Sequence, residues 1–144
     1  SDKIYATDIS KKALDVARKN MKLFSVNNIK NACHDFLKSN FNTKFDVLVS
    51  NPPYIDIESE RVEYSVKNFE PNASLYSNEN GFSDIKTLIT DSKRVLVNDG
   101  LLILENGFNQ SAKVSNLLNK NYYKDIDIIL DYNGINRFTL SRYS

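Results

Sequence analysis

Short apolar runs along the chain alternate with longer segments in which apolar residues recur every three or four positions, a pattern typical of a protein with both strands and helices. The predicted strands are brief apolar or β-branched runs that end at a polar residue: 4–7, 29–33, 45–49 and 101–104. The predicted helices have apolar residues at helical spacing: 14–24, 85–96 and 112–118. Ser10 is the expected N-cap of the first helix, and Asp99-Gly100 is the expected end of the second.

The C-terminal part of the chain predicts a hairpin. Residues 126–130 and 138–140 alternate apolar and polar side chains, and Asn133-Gly134 between them is typical of tight hairpin turns. Because the earlier strands are separated by helices, we expect them to pair in parallel. The predicted fold class is therefore α/β, with a mostly parallel sheet, a C-terminal antiparallel hairpin and one domain over 1–144.

The connection between residues 54 and 81 is long and polar, and it begins with several acidic residues. A connection of this length within a compact domain is usually a functional loop or a lid. We therefore expect this segment to contribute to function.

Composition excludes several classes of protein. The 144 residues include 19 Lys plus Arg and 18 Asp plus Glu, and this net charge of +1 argues against a highly basic nucleic-acid module. One Cys excludes an intrachain disulfide framework, and one Cys with one His argues against a zinc site. No apolar run approaches the roughly 20 residues of a membrane span. The four glycines are scattered and form no glycine-rich phosphate or dinucleotide loop.

Polar residues follow the predicted strands at their carboxyl ends, namely Asp8, Asp35, Asn51 and Glu105. In open parallel α/β sheets, that edge is where ligands bind. Each residue alone is weak evidence, since charged residues end strands routinely. The run Asn51-Pro52-Pro53-Tyr54 is more specific, because prolines directly after an apolar strand force the chain to leave the sheet there.

The stretch from Val47 to Ile55, which contains this run, resembles motif IV of class I S-adenosylmethionine-dependent methyltransferases that act on planar amino groups. Within that class the chain is most similar to the HemK/PrmC family of peptide-chain release factor glutamine methyltransferases. Further matches lie at Phe69-Glu70-Pro71, at 101–107 and at 131–143. The resemblance covers essentially the whole chain, and it implies a Rossmann-like sheet that corresponds to the C-terminal part of the family's catalytic domain.

The resemblance implies transfer of a methyl group from S-adenosylmethionine to the side-chain amide nitrogen of a glutamine in a release factor, with S-adenosylhomocysteine as product. Asn51, Pro52, Pro53 and Tyr54 would be the catalytic and substrate-binding residues. A carboxamide nitrogen is a poor nucleophile, so the site must hold the NH2 group and stabilise the positive charge that develops. The Asn51 oxygen and the Pro52 carbonyl can each accept an N–H, and the Tyr54 ring can pack against the amide. This chemistry requires no metal and no strong general base.

For the cofactor, the resemblance implies that Asp8 binds the two ribose hydroxyls, that Asp35 lies near the adenine amino group and that Phe36 packs against the adenine ring. Asn51 would lie between cofactor and substrate. Two purely structural interpretations stay open: Asp8 as an acidic residue that interacts with a helix dipole, and Phe36 as an ordinary core residue. Glu70 is either a substrate-binding residue or a structural anchor of its loop.

The family's first motif, a strand with a glycine-rich loop, would lie immediately before Ile4, and we expect this chain to lack it. On its own the chain is then expected to bind the cofactor weakly or not at all and to be inactive. Two alternatives to the leading function stay open. One is methylation of the exocyclic amino group of a base in DNA or RNA, and the other is an inactive fragment that serves as a binding or folding unit.

The near-neutral charge and the matches at Phe69-Glu70-Pro71 and in the C-terminal part of the chain favour a protein substrate over nucleic acid. The expected partners are therefore peptide-chain release factors, with no membrane and no direct nucleic-acid substrate. The expected location is the cytoplasm, because no export signal is visible and the substrate implied by the resemblance is a translation factor.

Overall fold

The structure is a computed structural model that describes residues 3–35, 41–56 and 72–144. It forms two compact units, Ser1–Phe41 and Asn42–Ser144. The single domain predicted over 1–144 stays a prediction.

The first unit contains two parallel strands and the helix that connects them. In chain order its elements are β1 (Ile4–Asp8), α1 (Lys11–Leu23) and β2 (Ile29–Cys33). A parallel pair needs such a crossover, because the second strand must start at the same end of the sheet as the first. The predicted strands and their parallel pairing are confirmed.

The start of α1 is capped as the sequence predicts. The Ser10 hydroxyl accepts the Ala13 N–H at 3.2 Å, which satisfies one of the backbone donors that the first helical turn leaves free. Leu14 is the buried residue of this helix at 3% exposure. The predicted end was slightly too late, because Phe24 lies one position beyond the helix and is largely exposed.

The second unit contains the larger sheet. Its elements in chain order are β3 (Phe45–Ser50), β4 (Ile55–Asp56), α2 (Asn72–Leu75), β5 (Tyr76–Ser77), α3 (Asn78–Gly81), α4 (Ser83–Ser92), β6 (Leu96–Glu105), α5 (Ser111–Lys120), β7 (Tyr123–Leu130) and β8 (Asn136–Tyr143). Four strands form a sheet in the order β3-β6-β8-β7, in which β3 and β6 are parallel and β8 is antiparallel to both neighbours. The short strands β4 and β5 form a separate parallel pair. This arrangement confirms the predicted α/β class with its antiparallel C-terminal hairpin.

The core of the second unit is formed by one face of β6 and one face of each flanking helix. Alternate residues of a strand point to the same side, and residues four apart on a helix do so too. The fully buried members of these faces are Leu102 and Leu104 on β6, Ile85 and Ile89 on α4, and Val114 and Leu118 on α5. Burying a leucine or isoleucine side chain of this kind contributes about 1.5–3 kcal/mol.

The predicted helix over 85–96 is wrong at its C-terminal end. The helix ends at Ser92, and Leu96 already belongs to β6, where it pairs with Phe45. The Val95 carbonyl accepts the Phe45 N–H at 2.7 Å. Asp99-Gly100 accordingly lies within β6 rather than at a helix end. The error has a physical origin. Buried apolar residues such as Val95 and Leu96 suit either the end of a helix or the start of the following strand, so their spacing does not mark the boundary.

The predicted hairpin turn is confirmed between β7 and β8. Gly134 has a φ of 75°, a conformation that glycine adopts without steric cost. The Asp131 carboxylate accepts the backbone N–H groups of Asn133 at 2.8 Å and Ile135 at 3.0 Å. These bonds, led by the one from Ile135, and nearby Arg137 lower the pKa of Asp131.

None of the helices in the described ranges is long and apolar enough to cross a membrane.

Leu104→Ala should lower the free energy of unfolding by about 2–5 kcal/mol, because it leaves a cavity in the core of the sheet. The matched control is Val49→Ala on the neighbouring strand β3, where the side chain is 67% exposed. That variant should change the free energy of unfolding by less than about 0.5 kcal/mol. Urea unfolding of both variants measures the difference, and equal losses would contradict the assignment of this core.

Candidate active site

The run Asn51-Pro52-Pro53-Tyr54, called the proline corner from here on, follows directly from the carboxyl end of β3. Ser50 is the last residue of β3 and pairs with Leu104 of β6. Proline has no N–H to donate, so the ladder stops there. Pro52 is buried, whereas Asn51 is exposed and makes no hydrogen bond through its side chain within the described part of the chain. The corner therefore combines an anchored backbone with a carboxamide that is open to a ligand.

A short hydrogen bond joins the proline corner to the neighbouring strand. The Tyr54 hydroxyl donates to Glu105 Oε1 at 2.7 Å, and the pair is partly buried. The parallel register of β3 and β6 brings these residues together, because Glu105 is the last residue of β6 and Tyr54 lies shortly beyond the end of the adjacent strand β3. A hydrogen bond to a carboxylate is stronger than one between neutral groups, so it holds the Tyr54 ring in one orientation.

The same contact keeps the Tyr54 hydroxyl protonated. Burial raises the pKa of Tyr54, and the hydrogen bond and charge of Glu105 raise it further, against an opposing effect of Arg137. The resulting pKa is about 12. At neutral pH the Tyr54 side chain is therefore a neutral hydrogen-bond donor and does not act as a base.

Gly81 lies against the backbone of the proline corner. Its φ is 75°, and a Cβ at this position would overlap the carbonyl oxygen of Tyr54 and come within 2.9 Å of the Ile55 carbonyl carbon. Only glycine combines this conformation with so close an approach. The chain that returns from the long connection thus supports the corner from one side.

A buried carboxamide supports the end of β6, next to Glu105. Asn106 is fully buried, and its Oδ1 accepts the Thr139 hydroxyl at 2.7 Å. Its Nδ2 donates to Ser111 Oγ at 2.9 Å and to the Gly107 carbonyl at 3.1 Å. Every polar atom of this side chain is satisfied, so the residue joins β6 to β8 and α5 without an unpaired buried group.

In the first unit, the structure brings Asp8 and Asp35 to the same end of the two-stranded sheet. Asp8 is the last residue of β1 and pairs with Cys33, and Asp35 follows two residues later. Asp8 is exposed, and its Oδ1 accepts the Ser10 N–H at 2.7 Å. Among the described residues no bond to its second carboxylate oxygen is present, so that oxygen can accept a hydrogen bond from a ligand.

The predicted residues Phe36 and Glu70 lie outside the described residues. The structure brings together Asp8 with Asp35 in one unit, and the proline corner with Glu105 in the other. The roles that the sequence suggested for these residues stay predictions. In residues 3–35, 41–56 and 72–144, no group of three or more His, Cys, Asp and Glu is placed to hold a metal ion.

Sequence reasoning missed several residues that support the corner: Gly81, Asn106, Gln110 and Arg137. Asn106 and Arg137 lie within stretches that match the family, but nothing in the pattern assigned them a role. Gly81 was visible only as one of four scattered glycines. Gln110 had no signal, since it lies between a turn and a helix and is polar, yet it is 8% exposed. Only the tertiary structure shows what these residues contact.

Comparison with known proteins gives a matching family and similar sequences. The family model described as methyltransferase small domain matches residues 1–131. The chain is 35% identical over 144 residues to the release factor glutamine methyltransferase of Francisella tularensis, and the match covers 96% of this chain and 49% of that protein. The chain thus spans about half the length of the curated relatives it matches.

Solved structures show the same fold. The ribosomal protein L11 methylase from Lactobacillus delbrueckii has a TM-score of 0.69 at 20% identity, covering 100% of this chain and 60% of that one. The N-methyltransferase NodS from Bradyrhizobium japonicum, in complex with S-adenosyl-L-homocysteine, has a TM-score of 0.62 at 14% identity, covering 98% and 65%. These similarities confirm the predicted class I methyltransferase fold.

Tyr54→Phe should remove a tyrosine titration with a midpoint near pH 12 from the alkaline ultraviolet spectrum. The raised pKa of Tyr54 stabilises the folded state, and this contribution is complete below the ordinary pKa of 10.0 and is lost as the pH rises through about 12. The free energy of unfolding of Tyr54→Phe should therefore fall less over that pH range than that of the unsubstituted protein. Tyr123→Phe is the control, because burial raises the pKa of Tyr123 too, without contact to Glu105. A Tyr54→Phe spectrum in which as many tyrosines titrate near pH 12 as in the unsubstituted protein would contradict the assignment.

Proposed function

Because the chain belongs to the methyltransferase small domain family, we propose that it transfers a methyl group from S-adenosylmethionine to the side-chain amide nitrogen of a glutamine in a peptide-chain release factor. The name of the curated relatives supports this substrate. The observation that carries the proposal is the exposed Asn51 carboxamide on an anchored, proline-bounded corner at the carboxyl end of β3. On this proposal, residues 1–144 are part of the catalytic domain, and a translation-factor substrate implies residence in the cytoplasm.

Two acceptors of the corner would hold the substrate amide. The Asn51 side-chain oxygen accepts one N–H of the glutamine NH2 group, and the Pro52 carbonyl accepts the other. Both interactions strengthen as the nitrogen gains positive charge, so they favour the transition state over the ground state. The buried position of Pro52 limits movement of its carbonyl, and this reduces the cost of orienting the amide.

Tyr54 would confine the planar amide with its ring. Its hydroxyl is occupied by Glu105 at 2.7 Å, and its pKa of about 12 keeps it neutral. The residue therefore offers a surface and no base, which suits a reaction whose methyl group is already activated. S-adenosylmethionine, when bound, would supply the activated methyl group, and the methylated amide nitrogen would release its extra proton to water.

Asp8, Asp35 and Phe36 would bind the cofactor, and Asn51 would lie between cofactor and substrate. Asp8 fits this role chemically, because ribose hydroxyls donate hydrogen bonds and the second carboxylate oxygen of Asp8 is available to accept one. The structural neighbour NodS, whose structure contains S-adenosyl-L-homocysteine, supports this cofactor class. Glu70 belongs to the proposed substrate-binding residues by its position in the family motif.

Asn51→Ala should lower the turnover of the intact protein by roughly 10- to 1,000-fold, since it removes one preorganised acceptor from the transition state. The assay measures transfer of a labelled methyl group from S-adenosylmethionine to a release factor, with DNA and RNA as competing substrates. Asn119→Ala is the matched control, because Asn119 is an exposed asparagine on α5. It should leave turnover unchanged.

Two outcomes would count against this account. Near-normal turnover of Asn51→Ala would remove Asn51 from the mechanism. Labelling of nucleic acid in place of the release factor would overturn the proposed substrate.

Asp8→Ala should chiefly weaken binding of S-adenosylmethionine to the intact protein, because the variant loses the proposed acceptor for the ribose hydroxyls. Asp8→Asn is the more discriminating variant: it can keep the bond to the Ser10 N–H but replaces the second oxygen with a donor. Asp15→Ala on α1 is the control for loss of an exposed carboxylate. Titration calorimetry measures the binding constants, and an unchanged constant in both Asp8 variants would refute the role.

A further inference from the structure

Gln110 joins three separate stretches of the chain around the proline corner. Its Nε2 donates to the Tyr54 carbonyl at 3.0 Å and to the Gly81 carbonyl at 3.2 Å. Its Oε1 accepts the Gly107 N–H at 2.9 Å. The side chain is nearly buried at 8% exposure, so water does not readily replace these bonds.

The orientation of this carboxamide is set by its partners. Three carbonyl oxygens, those of Tyr54, Gly81 and, at 3.5 Å, Asn80, lie on one side of the group, and the Gly107 N–H lies on the other. Only an amide with its nitrogen toward Tyr54 satisfies both sides, since the nitrogen only donates and the oxygen only accepts. A carboxylate of the same shape would place an oxygen against these carbonyl oxygens, and an apolar side chain would make none of these bonds.

The backbone that carries Gln110 is itself held in place. The Gln110 N–H donates to the Gly107 carbonyl at 2.9 Å, and the Gln110 carbonyl accepts the Val114 N–H of α5 at 2.9 Å. The side chain therefore connects the start of a packed helix to the Tyr54 carbonyl. Because Gly81 lies directly against that same carbonyl, the corner is held between the helix start and the returning chain.

We propose that Gln110 is a positioning residue for methyl transfer: it fixes the Pro53-Tyr54 backbone and so aligns the acceptors of the corner with the substrate amide. This inference rests on the function proposed above for the corner. Gln110 touches neither substrate nor cofactor on this account, and it acts only through the Tyr54 carbonyl. Its loss misaligns the corner, and misalignment of about 1 Å is enough to slow a reaction by two orders of magnitude.

Gln110→Met tests the proposal, because methionine has a similar length and makes none of the four bonds of the carboxamide. In the intact protein we expect kcat for a release factor to fall roughly 10- to 100-fold, with KM largely unchanged. Val114→Ala is the control, since Val114 is fully buried one turn further along the same helix and bonds to Gln110 only through its backbone. It should destabilise the protein and leave kcat unchanged wherever circular dichroism shows both variants folded.

The phenol of Tyr54 provides a second readout that does not depend on activity. If the corner moves, the bond from Tyr54 to Glu105 weakens, and the pKa of Tyr54 falls from about 12 toward its ordinary value. The alkaline ultraviolet titration, compared with Tyr54→Phe, isolates this one residue. Gln110→Met should lower the midpoint, and Val114→Ala should not.

The outcomes separate the two proposals. The positioning role is supported if Gln110→Met loses both kcat and the raised midpoint of Tyr54 while Val114→Ala loses neither. It is overturned if Gln110→Met keeps its kcat or its raised midpoint, or if Val114→Ala loses as much kcat. Failure of the unsubstituted protein to methylate a release factor would overturn the proposed function, and the Tyr54 midpoint would still report whether Gln110 holds the corner. If Gln110→Met does not fold, Gln110→Asn, whose amide is one methylene short, should change both readouts in the same direction by less.

Discussion

The missing N–H of two consecutive prolines determines the geometry of the candidate site. β3 pairs with β6 up to Ser50, and the chain then leaves the sheet because neither proline can extend the ladder. Pro52 is buried at this exit, so the backbone is anchored where Asn51 becomes exposed. The exit also delivers Tyr54 to the end of the neighbouring strand, where it meets Glu105. The proposed binding of the substrate amide depends on this one departure from the sheet.

The contact between Tyr54 and Glu105 determines the protonation state of the tyrosine in the proline corner. A tyrosine with a pKa of about 12 is neutral at physiological pH, so the site contains a hydrogen-bonded ring in place of a proton acceptor. On the proposed function, acceleration of methyl transfer would depend on holding the substrate amide and on the acceptors that face it. This is consistent with a reaction in which the leaving group is a neutral thioether and the methyl group is already activated.

Most of the fold could be predicted from local sequence patterns, and the predictions that failed did so for physical reasons. The spacing of apolar residues located most of the strands, and residue type located the N-cap at Ser10 and the turn at Asn133-Gly134. The helix over 85–96 was predicted too long, since Val95 and Leu96 are buried and suit either a helix end or a strand start. At the site, the corner and Glu105 were recognisable as residues that follow strands. The contact between Tyr54 and Glu105 could not be predicted, because the spacing of residues within one strand does not show which strands are neighbours in the sheet.

The glutamine that spans the corner has a consequence for how this chain folds. Gln110 bonds to residues 56 and 29 positions away, so its contacts close large loops and add stability only after the intervening chain is ordered. The corner is thus expected to take its final shape late, once β6 and α5 have packed. A partly folded chain could contain every residue of the site and still lack its geometry.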